Sequence, residues 1–366
     1  MKILLLITGL GVGGAETQVT ELASQFAERG DTVMLAFMTG EPEVLPRHPA
    51  VTVCSLGMHN SVSGMLTGYR ALRRLVKNYQ PDVVHSHMVH ANLLARVVRL
   101  SCPMPRLIST AHSNNEGGKA RMMAYRVTDA LADLSTNVSD NAVAAFEEKG
   151  AVPKGRMIAV SNGIATERFR HDPALRKEVR EEAGLKPNTK LILAVGRLVD
   201  VKDYPNLLRA FALVSKNMQD TVLWIAGGGE RLEDLQELSH ELGIARAVCF
   251  LGIRSDTEAL YNAADVSVLS SKWEGFGLVV AEAMASENVV VATDCGGVRE
   301  VLDECGYLVP PQDPVRLAAA LQQALVLPQG DAMLLGQKAR QRVLDHYSLH
   351  STVDTWAAIY RPDSAP

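Results

Sequence analysis

Short apolar runs rich in β-formers alternate with longer amphipathic runs along the chain, and this pattern constrains the fold more than any single motif. In the first half the predicted strands are Ile3–Ile7, Val33–Phe37, Val83–His85, Leu107–Thr110, Leu134–Asn137 and Met157–Val160. The helices predicted between them are Ala15–Arg29, Met65–Asn78, Asn92–Leu100, Ala120–Ala132 and Asn141–Lys149. This alternation predicts an α/β fold whose parallel sheet is joined by right-handed helical crossovers.

A second series of the same kind begins after Phe169. Its predicted strands are Leu191–Val195, Val222–Ala226, Val248–Phe250, Val266–Leu269 and Val289–Ala292. Its predicted helices include Pro205–Ser215, Arg231–Leu242, Asp256–Ala263, Leu278–Ala285 and Pro314–Leu325. The polar stretch Ala165–Arg180 is the best candidate for a linker. Two doubly wound domains are therefore expected, facing a cleft at the carboxyl ends of their strands, where such sheets bind ligands.

Composition and charge exclude several classes of protein. The sequence pI near 6.2 argues against general nucleic-acid binding. Five cysteines without a CxxC pair indicate reduced thiols in a cytoplasmic protein. The apolar start, Met1–Ile7, resembles a short signal peptide, but it stops at Thr8-Gly9 and the α/β pattern needs it as a strand. Residues 1–168 carry 17 Lys and Arg against 14 Asp and Glu, so the first half is the better candidate to meet an anionic surface.

The turn Glu274-Gly275-Phe276-Gly277-Leu278, followed by Glu282, connects a predicted strand to a predicted helix. Its glycines allow a ligand to approach the backbone, and the helix N-terminus offers free N–H groups to an anion. The two carboxylates can accept hydrogen bonds from hydroxyl groups. The turn therefore suits a ligand with both phosphate and hydroxyls, such as a sugar nucleotide. The alternative is an ordinary strand-to-helix connection with a surface glutamate.

Three further strand ends in the second half carry glycine or charge. Gly196-Arg197-Leu198 with Lys202 offers two cations to phosphate oxygens. The run beginning Gly227-Gly228 and the turn Asp294-Cys295-Gly296-Gly297 follow later strands. Four strand ends that share one edge of a sheet are a more specific signal than any one of them.

The first loop contains Gly9, Gly11 and Gly14 in a Gly-x-Gly-x-x-Gly pattern, which is also found in dinucleotide-binding domains. An acidic residue to hold a ribose is missing from the end of the second strand, since Glu41 lies beyond a turn. We therefore favour a flexible phosphate- or acceptor-facing loop at the start of the Ala15 helix. A nicotinamide-dependent dehydrogenase remains an alternative interpretation of this loop.

The chain contains no Asp-x-Asp, so no carboxylate pair is available in the usual form for a catalytic Mg²⁺ or Mn²⁺. His85, His87 and His90 form the only histidine cluster, which we interpret as lining the cleft or a polar strand end rather than binding a metal. His112 follows a predicted strand directly and is the better candidate to face the cleft. The sequence predicts no metal site.

Together these motifs resemble the retaining GT-B glycosyltransferases of family 4. The resemblance rests on Glu274 to Glu282, Arg197, Lys202, Gly13-Gly14-Ala15-Glu16 and His112, and it covers nearly the whole chain. It also includes Ser161-Asn162-Gly163 and the segment from Gly306 to Pro311. The family implies two Rossmann-like domains, a nucleotide-sugar donor held mainly by the C-terminal one, an acceptor held mainly by the N-terminal one, and no metal.

The resemblance also implies a role for individual residues. Arg197 and Lys202 would bind the diphosphate, and Glu282 the nucleotide ribose. Glu274 would contact the donor sugar hydroxyls and His112 the sugar near the reacting carbon. The Gly13-Gly14 loop would close over the phosphates. We expect the remaining donor contacts from Gly227, Gly228, Gly275, Phe276, Gly277 and Leu278.

Two positions depart from the family pattern. Ala165 stands where Asp is frequent, and Asp203 stands where Gly often follows the lysine. An acidic neighbour beside Lys202 could weaken its attraction for phosphate. Neither departure removes a central motif, so we expect activity.

The sequence therefore predicts a metal-independent transferase that moves a hexose or N-acetylhexosamine from a nucleotide-diphosphate sugar, first of all a UDP-sugar, to an acceptor hydroxyl with retention. A GT-B-fold nucleotide-sugar epimerase and a non-catalytic glycosyltransferase-like subunit are the alternatives. No nucleic-acid partner is expected.

A cationic stripe bears on the acceptor. Arg70, Arg73, Arg74 and Lys77 recur at helical spacing in the predicted helix Met65–Asn78. A basic amphipathic helix can lie on the anionic inner face of the cell membrane, and the acceptor would then be a lipid-linked saccharide of surface polysaccharide or lipopolysaccharide assembly. The alternative is a solvated helix face.

The expected domains are 1–165 for the acceptor, 166–346 for the nucleotide sugar and a C-terminal crossover helix in 347–366. In the last helical run, Leu349–Tyr360, the residues Val353, Trp356, Ala357 and Tyr360 share one apolar face. The resemblance implies that this helix crosses back and packs on the N-terminal domain.

Overall fold

The structure is a computed structural model that describes residues 1–59, 61–114 and 116–361. The strands of this part of the chain are β1 (Lys2–Ile7), β2 (Thr32–Phe37), β3 (Thr52–Ser55), β4 (Val83–His87), β5 (Leu107–Thr110), β6 (Leu134–Asn137), β7 (Met157–Ala159), β8 (Lys190–Val195), β9 (Thr221–Ala226), β10 (Val248–Gly252), β11 (Val266–Leu269), β12 (Val289–Thr293) and β13 (Tyr307–Val309). The α-helices are α1 (Gly14–Glu28), α2 (Val62–Tyr79), α3 (Val89–Arg99), α4 (Lys119–Thr128), α5 (Asp140–Glu148), α6 (Pro173–Glu182), α7 (Tyr204–Asn217), α8 (Leu232–Glu241), α9 (Thr257–Ala263), α10 (Leu278–Ala285), α11 (Val298–Leu302), α12 (Pro314–Leu325), α13 (Gln329–His346) and α14 (Leu349–Tyr360).

The chain forms two compact units. The N-terminal unit contains Met1–Gly163 and the C-terminal segment from Leu349, and the C-terminal unit contains Ile164–Ser348. Both are parallel-sheet α/β units, so the predicted fold class is confirmed. The chain enters the second unit at Ile164 and leaves it at Ser348.

In the N-terminal unit the strand order is β3-β2-β1-β4-β5-β6-β7, and every pairing is parallel. Residues Ile3 to Ile7 of β1 are fully buried, as a central strand covered by helices on both faces requires. The strand order reverses between β1 and β4, which places the loops after these two strands at the topological switch point.

Helices α2, α3 and α4 lie side by side in this unit. Leu72 and Val76 of α2 and Ala95 and Val98 of α3 belong to one core cluster with the sheet. The side chain of Arg96 in α3 donates to the carbonyl of Tyr125 in α4 at 3.4 Å, and this hydrogen bond links α3 to α4.

In the C-terminal unit the strand order is β10-β9-β8-β11-β12-β13, again wholly parallel. Strand β8 lies between β9 and β11, so the order reverses beside it. Helices α7 and α12 contribute Leu207, Phe211, Leu317 and Leu321 to the core cluster of this unit, all with no exposed surface. These two helices therefore cover one face of the sheet, and the loops border the carboxyl ends of its strands.

The stretch Ala165–Arg180, predicted as a linker, contains most of helix α6, so that prediction is wrong. Asp172 caps the helix by accepting from the N–H groups of Ala174 and Leu175, and Pro173 occupies the first turn, where its missing N–H costs nothing. The helix is tied to the unit by Arg176 and Arg180, which both form ion pairs with Asp265. Its charge-rich sequence reflects an outer surface, since none of its residues is fully buried.

Helix α14 packs within the N-terminal unit although it ends the described chain. The rings of Phe26 and Tyr360 stack at 5.1 Å, and the Trp356 ring lies 4.4 Å from that of His85. Gly163 lies against the start of this helix, where an added Cβ would come within 2.7 Å of the Leu349 Cα. Among the described helices, none combines the length and the hydropathy that a bilayer crossing requires.

Candidate functional site

The carboxyl ends of β8, β9, β11 and β12 lie along one edge of the C-terminal sheet, where the strand order reverses. All four glycine-rich or charged turns singled out in the sequence follow these strands. Open α/β sheets bind ligands at such a reversal. This edge is therefore the candidate ligand site of the C-terminal unit.

Lys202 and Glu274 form an ion pair at this edge. Lys202 ends a short 3₁₀ turn after β8, and Glu274 lies in the loop after β11. The Lys202 Nζ and Glu274 Oε1 atoms are 2.6 Å apart, and the two side chains are 18% and 15% exposed. The Ser271 hydroxyl donates to the same carboxylate oxygen at 2.6 Å. The family resemblance implied separate roles for these two residues, whereas the structure pairs them.

Neighbouring backbone fixes the positions of both loops. The Ser270 hydroxyl donates to the Lys202 carbonyl at 2.8 Å, and the Lys272 N–H donates to the Val201 carbonyl at 2.8 Å. Gly296 has φ near +57°, and a Cβ there would lie 1.8 Å from the Glu274 carbonyl oxygen. Glycine is therefore required at position 296 so that the turn after β12 can pass the Glu274 backbone.

Asp203 adopts a left-handed conformation with φ near +49° directly before α7. This conformation explains why glycine suits the position, because non-glycine residues with positive φ are strained and Asp is among those that tolerate it. Burial raises the pKa of the Asp203 carboxyl, with Lys272 acting in the opposite direction. The residue is therefore a buried neighbour of the Lys202 turn.

Arg197 is exposed at the end of β8, and the described residues form no salt bridge with it. The glycines after β9 serve the contact between loops. A Cβ at Gly227 would lie 2.0 Å from the Gly196 carbonyl oxygen, and one at Gly228 would lie 2.9 Å from the Ile253 side chain. The close packing of the loops explains Gly227 without any ligand.

Helix α10 begins directly after Gly277, whose φ is near +91°. Leu278 is its first residue, and Gly275 belongs to the turn before it. The Phe276 ring is buried and lies 5.4 Å from that of Tyr347, so it anchors the turn. The N-terminus of α10 therefore opens at the same edge as Lys202.

Glu282 is held by a residue that the sequence did not indicate. The buried Tyr261 hydroxyl donates to Glu282 Oε2 at 3.0 Å. Burial and the adjacent Glu282 carboxylate raise the pKa of Tyr261, so the phenol keeps its proton as a donor. Tyr261 lies 21 positions away on α9, and no sequence signal connects the two.

In the N-terminal unit, His112 follows β5 and His87 ends β4. The His87 Nδ1 and His112 Nε2 atoms are 3.1 Å apart. Burial lowers the pKa of His112 to about 4 and lowers that of His87 well below its usual value. Both rings are therefore neutral near pH 7, and their other nitrogens, His87 Nε2 and His112 Nδ1, are buried without a hydrogen-bond partner in the described structure.

His85 belongs to the core. Its Nδ1 lies 2.7 Å from the Tyr360 hydroxyl and its Nε2 lies 2.6 Å from the Thr110 hydroxyl. The expectation that His85 lines a cleft or a polar strand end is therefore wrong, because α14 covers it. His90 is exposed on α3. The described residues hold no group of three or more His, Cys, Asp and Glu side chains arranged for a metal ion.

Gly13 and Gly14 lie at the start of α1, which begins at Gly14 and has an extended Gly13 before it. A Cβ at Gly13 would come within 2.4 Å of the Glu16 carboxylate, which is the mobile end of a long side chain. These glycines leave the N-terminal backbone of α1 uncovered by side chains of their own.

Chemically, the C-terminal edge combines cations, a helix N-terminus and two carboxylates. Lys202, Arg197 and the N-terminus of α10 can neutralise phosphate oxygens. Glu274 and Glu282 can accept hydrogen bonds from hydroxyl groups. The arrangement fits a ligand that carries both kinds of group.

Comparison with known proteins agrees with this chemistry. Residues 12–168 match the family described as Glycosyltransferase Family 4, and residues 176–342 match the family described as Glycosyl transferases group 1. A D-inositol 3-phosphate glycosyltransferase from Geodermatophilus obscurus is 30% identical over 95% of this chain and 84% of its own.

Two solved structures share the fold over both units. Anabaena HepE, in complex with UDP and glucose, has a TM-score of 0.85 at 19% identity, covering 98% of this chain and 99% of its own. Sucrose-phosphate synthase from Thermosynechococcus elongatus has a TM-score of 0.87 at 22% identity, covering 99% and 98%. These likenesses establish the GT-B-type fold. The chain therefore belongs to the glycosyltransferases, with a Family 4 domain followed by a group 1 domain.

Proposed function

We propose that this glycosyltransferase moves a hexose or N-acetylhexosamine from a nucleotide-diphosphate sugar to an acceptor hydroxyl with retention and without a metal ion. The observation that carries the proposal is the Lys202–Glu274 pair at the strand-order reversal of the C-terminal sheet. A UDP-sugar is the first donor to test, because HepE, with the same fold, is described with UDP and glucose.

The pair gives Lys202 and Glu274 a shared role in the reaction. A diphosphate that enters the site competes with Glu274 for the Lys202 ammonium, and the sugar hydroxyls replace Lys202 as partners of the carboxylate. As the bond to the leaving group breaks, negative charge grows on the diphosphate. Lys202 and Arg197 stabilise that charge more strongly in the transition state than in the ground state, and such a difference accelerates the reaction.

The other residues orient the donor and the sugar. Glu282, held by Tyr261, binds the nucleotide ribose, and the turn from Gly275 to Leu278 receives the phosphates. His112 donates or accepts a hydrogen bond near the reacting carbon as a neutral imidazole, since its pKa is about 4. The Gly13-Gly14 loop closes over the phosphates. Attack on the same face as the departing diphosphate accounts for retention, with the leaving phosphate taking the acceptor proton.

The donor is identified by a thermal-shift panel of UDP, GDP, ADP and their sugars. A ligand that binds only the folded state raises its stability with ligand concentration, by about 2.7 kcal/mol at one hundred times Kd. One nucleotide series should shift the melting temperature strongly and the others weakly. Donor turnover followed by NMR then gives the anomeric configuration. Epimerised donor in the absence of acceptor, or no binding at all, would refute the proposal.

We infer further that the acceptor is a lipid-linked saccharide reached at an anionic membrane. Helices α2 and α4 carry four and three Arg or Lys residues, and these three described helices contain no Asp or Glu. The two arginines of α3 do not add to this surface charge, because Arg96 is fully buried and Arg99 forms an ion pair with Asp133. Arg70, Arg74 and Lys77 are exposed, whereas Arg73 is half-buried. Charge of one sign over neighbouring helices favours an anionic surface.

Exposed apolar side chains lie on the same three helices. Leu72 and Val76 of α2 are buried, whereas Leu66 of the same helix is exposed. The large apolar side chains described as exposed here are Met65, Leu66, Val97, Met123 and Val127 on the helices and Leu100 directly after α3. Their combination with basic residues is typical of surfaces that insert between lipid headgroups.

Vesicle sedimentation tests this surface. The protein should sediment with phosphatidylglycerol vesicles, remain free of neutral ones, and lose binding as salt rises, because the attraction is screened over about 8 Å at physiological ionic strength. The triple variant R70E/R73E/R74E should abolish binding. The matched control K186E/K216E/R246E changes the same charge in the C-terminal unit and should keep it. If the triple variant and the control sedimented equally, the cationic stripe would be a solvated helix face without a role in membrane binding.

A further inference from the structure

The loop that carries His112 is held by a carboxylate that the proposed chemistry does not use. The His112 backbone N–H donates to Glu116 Oε1 at 3.0 Å. Arg121 of α4 donates to the Glu116 carbonyl at 3.0 Å, so the same residue is also tied by its main chain to the helix that follows. Glu116 therefore links the His112 backbone to α4.

The second oxygen of this carboxylate is held from the interior of the unit. The Tyr125 hydroxyl donates to Glu116 Oε2 at 2.5 Å, and Tyr125 is 1% exposed. The Asn92 side-chain amide donates in turn to the Tyr125 hydroxyl at 2.9 Å. A buried tyrosine thus connects Glu116 to α3.

Asn92 is itself fixed to the sheet. It is fully buried, accepts from the Ser86 hydroxyl at 2.8 Å and donates to the Thr110 carbonyl at 2.9 Å. Ser86 lies in β4 and Thr110 ends β5, immediately before the His112 loop. The chain of hydrogen bonds therefore begins in the rigid sheet and ends at the His112 backbone.

If packing were the only requirement at position 116, an apolar side chain would cost less free energy to bury than a carboxylate. Burial raises the pKa of the Glu116 carboxyl, which shows the cost of placing a charge at this point, while the hydrogen bonds from Tyr125 and from the His112 N–H act in the opposite direction. The ring of His112 is separately held by His87. Backbone and ring are thus constrained by different groups.

We propose that Glu116 is a positioning residue for the transfer reaction: held by Tyr125 and Asn92, it fixes the backbone of His112 so that the imidazole is aimed at the donor sugar. Glu116 touches no reacting atom in this account. The inference rests on the proposed role of His112, and it adds a residue that neither the sequence motifs nor the family resemblance indicated.

The kinetic test compares E116A, E116Q and T128V in the full-length protein with UDP-glucose as donor. E116A removes the acceptor of the His112 N–H and should lower kcat about 10- to 100-fold, the scale of a slightly misplaced catalytic group, with the donor KM within about twofold. The amide oxygen of E116Q keeps an acceptor for the His112 N–H, whereas its NH₂ group replaces the oxygen that accepts from Tyr125. Because the bond to His112 is retained, E116Q should restore kcat to within about threefold of the wild type.

T128V is the matched control, at the end of the helix that follows Glu116. Thr128 accepts from Arg96 and donates to the Ala124 carbonyl, and neither contact reaches His112. T128V should lower the melting temperature and leave kcat unchanged. If kcat falls equally in T128V and E116A, or in proportion to lost stability, Glu116 has only a structural role and the inference is overturned.

Amide hydrogen exchange gives a readout that needs no turnover. Exchange of the His112 N–H should be at least about tenfold faster in E116A than in the wild type, because the bond to Glu116 is lost, and near the wild-type rate in E116Q. Unchanged exchange in E116A would overturn the inference. If the wild type failed to turn over any donor, the proposed function would fall, and exchange alone would still decide whether Glu116 holds the loop.

Discussion

Lys202 and Glu274 show at the scale of single residues how this site is held before a ligand arrives. Each is mostly buried, and each is the partner of the other at 2.6 Å. Removing one member leaves an uncompensated charge in a partly desolvated place, which costs stability as well as function. Loss of Lys202 should therefore cost more stability than loss of Arg197, because Arg197 is exposed.

Arg197→Ala and Lys202→Ala should each lower turnover by about 10²- to 10³-fold, as expected for the loss of one group that stabilises transition-state charge. Arg197→Ala should leave the melting temperature unchanged, whereas Lys202→Ala should lower it because Glu274 loses its partner. The double variant Lys202→Ala/Glu274→Gln should recover part of that stability and none of the turnover. Near-normal turnover in either single variant would remove these residues from the diphosphate site.

Asp203 permits a separation of charge from backbone strain. Asp203→Asn removes the charge and keeps a residue that tolerates positive φ, whereas Asp203→Gly removes the charge and also relaxes the backbone. If the carboxylate weakens Lys202, both variants should lower the donor KM, and only Asp203→Gly should raise the free energy of unfolding, by about 1 kcal/mol. A donor KM unchanged in both variants would show that the acidic neighbour does not act on the donor site.

Two buried histidines, His85 and His87, and the half-buried His112 should make the N-terminal unit sensitive to acid. Burial lowers the pKa of His85, His87 and His112 below the usual value near 6.5, so all three are neutral when folded and take up protons when unfolded. Their stabilising effect is complete above pH 6.5 and is lost as pH falls toward the His112 pKa of about 4. With three protons the slope approaches about 4 kcal/mol per pH unit.

Urea unfolding between pH 8 and pH 5 measures this slope. The free energy of unfolding should change little between pH 8 and pH 7 and should fall steeply between pH 6 and pH 5. His87→Asn should lower the steep slope by about 1.4 kcal/mol per pH unit, the value of one proton. A profile that is flat through pH 6 in the wild type would show that these rings are protonated in the folded protein.

At the scale of secondary-structure elements, the strongly periodic segments could be predicted from the sequence. β5, β6, β11, α10, α12 and α14 have the predicted bounds. β3 was missed because it is a half-exposed edge strand of four residues, Thr52–Ser55, without a continuous apolar run. β13 is an edge strand of three residues, which is too short to show a strand periodicity.

Helix α6 was missed although its start signal is present in the sequence. Asp172-Pro173 is a helix cap followed by proline at the first turn, but the high charge of the segment is equally typical of a solvated linker. Helix α13 (Gln329–His346) was also missed, since its apolar periodicity is weak and only Gly336, Ala339 and Val343 are buried. In both cases contacts with the rest of the unit stabilise a helix whose own pattern is faint.

The site could be located from the sequence only to the level of strand ends. The turns of Arg197, Gly227, Glu274 and Gly296 were expected along one edge, and the structure places them there. The pairing of Lys202 with Glu274, 72 positions apart, has no sequence signal, and neither has Tyr261 beneath Glu282. Such contacts depend on how loops pack, which residue types and spacing do not determine.

At the scale of the whole molecule, the chain closes its N-terminal unit with its last described helix. Tyr360 and Trp356 of α14 cover Phe26 and His85, and Arg29 pairs with Asp354 at 2.7 Å. His85 contacts Thr110, which ends the strand before His112. Loss of α14 should therefore disturb both the core and the His112 loop.

Truncation after Ser348 should lower stability by several kcal/mol, given about 25 cal/mol per Å² of apolar surface buried, and should abolish turnover. Every residue named for donor binding remains in the truncated chain. The control is truncation after Arg361, which keeps α14 whole and should preserve both properties. Trp356→Ala should lower stability by about 3–5 kcal/mol without shortening the chain. A chain ending at Ser348 that melted and turned over normally would contradict this role of α14.

The central claim is that the C-terminal edge binds a nucleoside diphosphate through its own cations, and calorimetric titration of UDP in excess EDTA tests it most directly. UDP should bind the wild type with the same affinity in EDTA as in Mg²⁺, and Arg197→Ala and Lys202→Ala should each weaken binding by at least about tenfold, the value of roughly 1.4 kcal/mol. Binding that appears only with Mg²⁺ or Mn²⁺, or that is equally tight in both variants, would contradict the account.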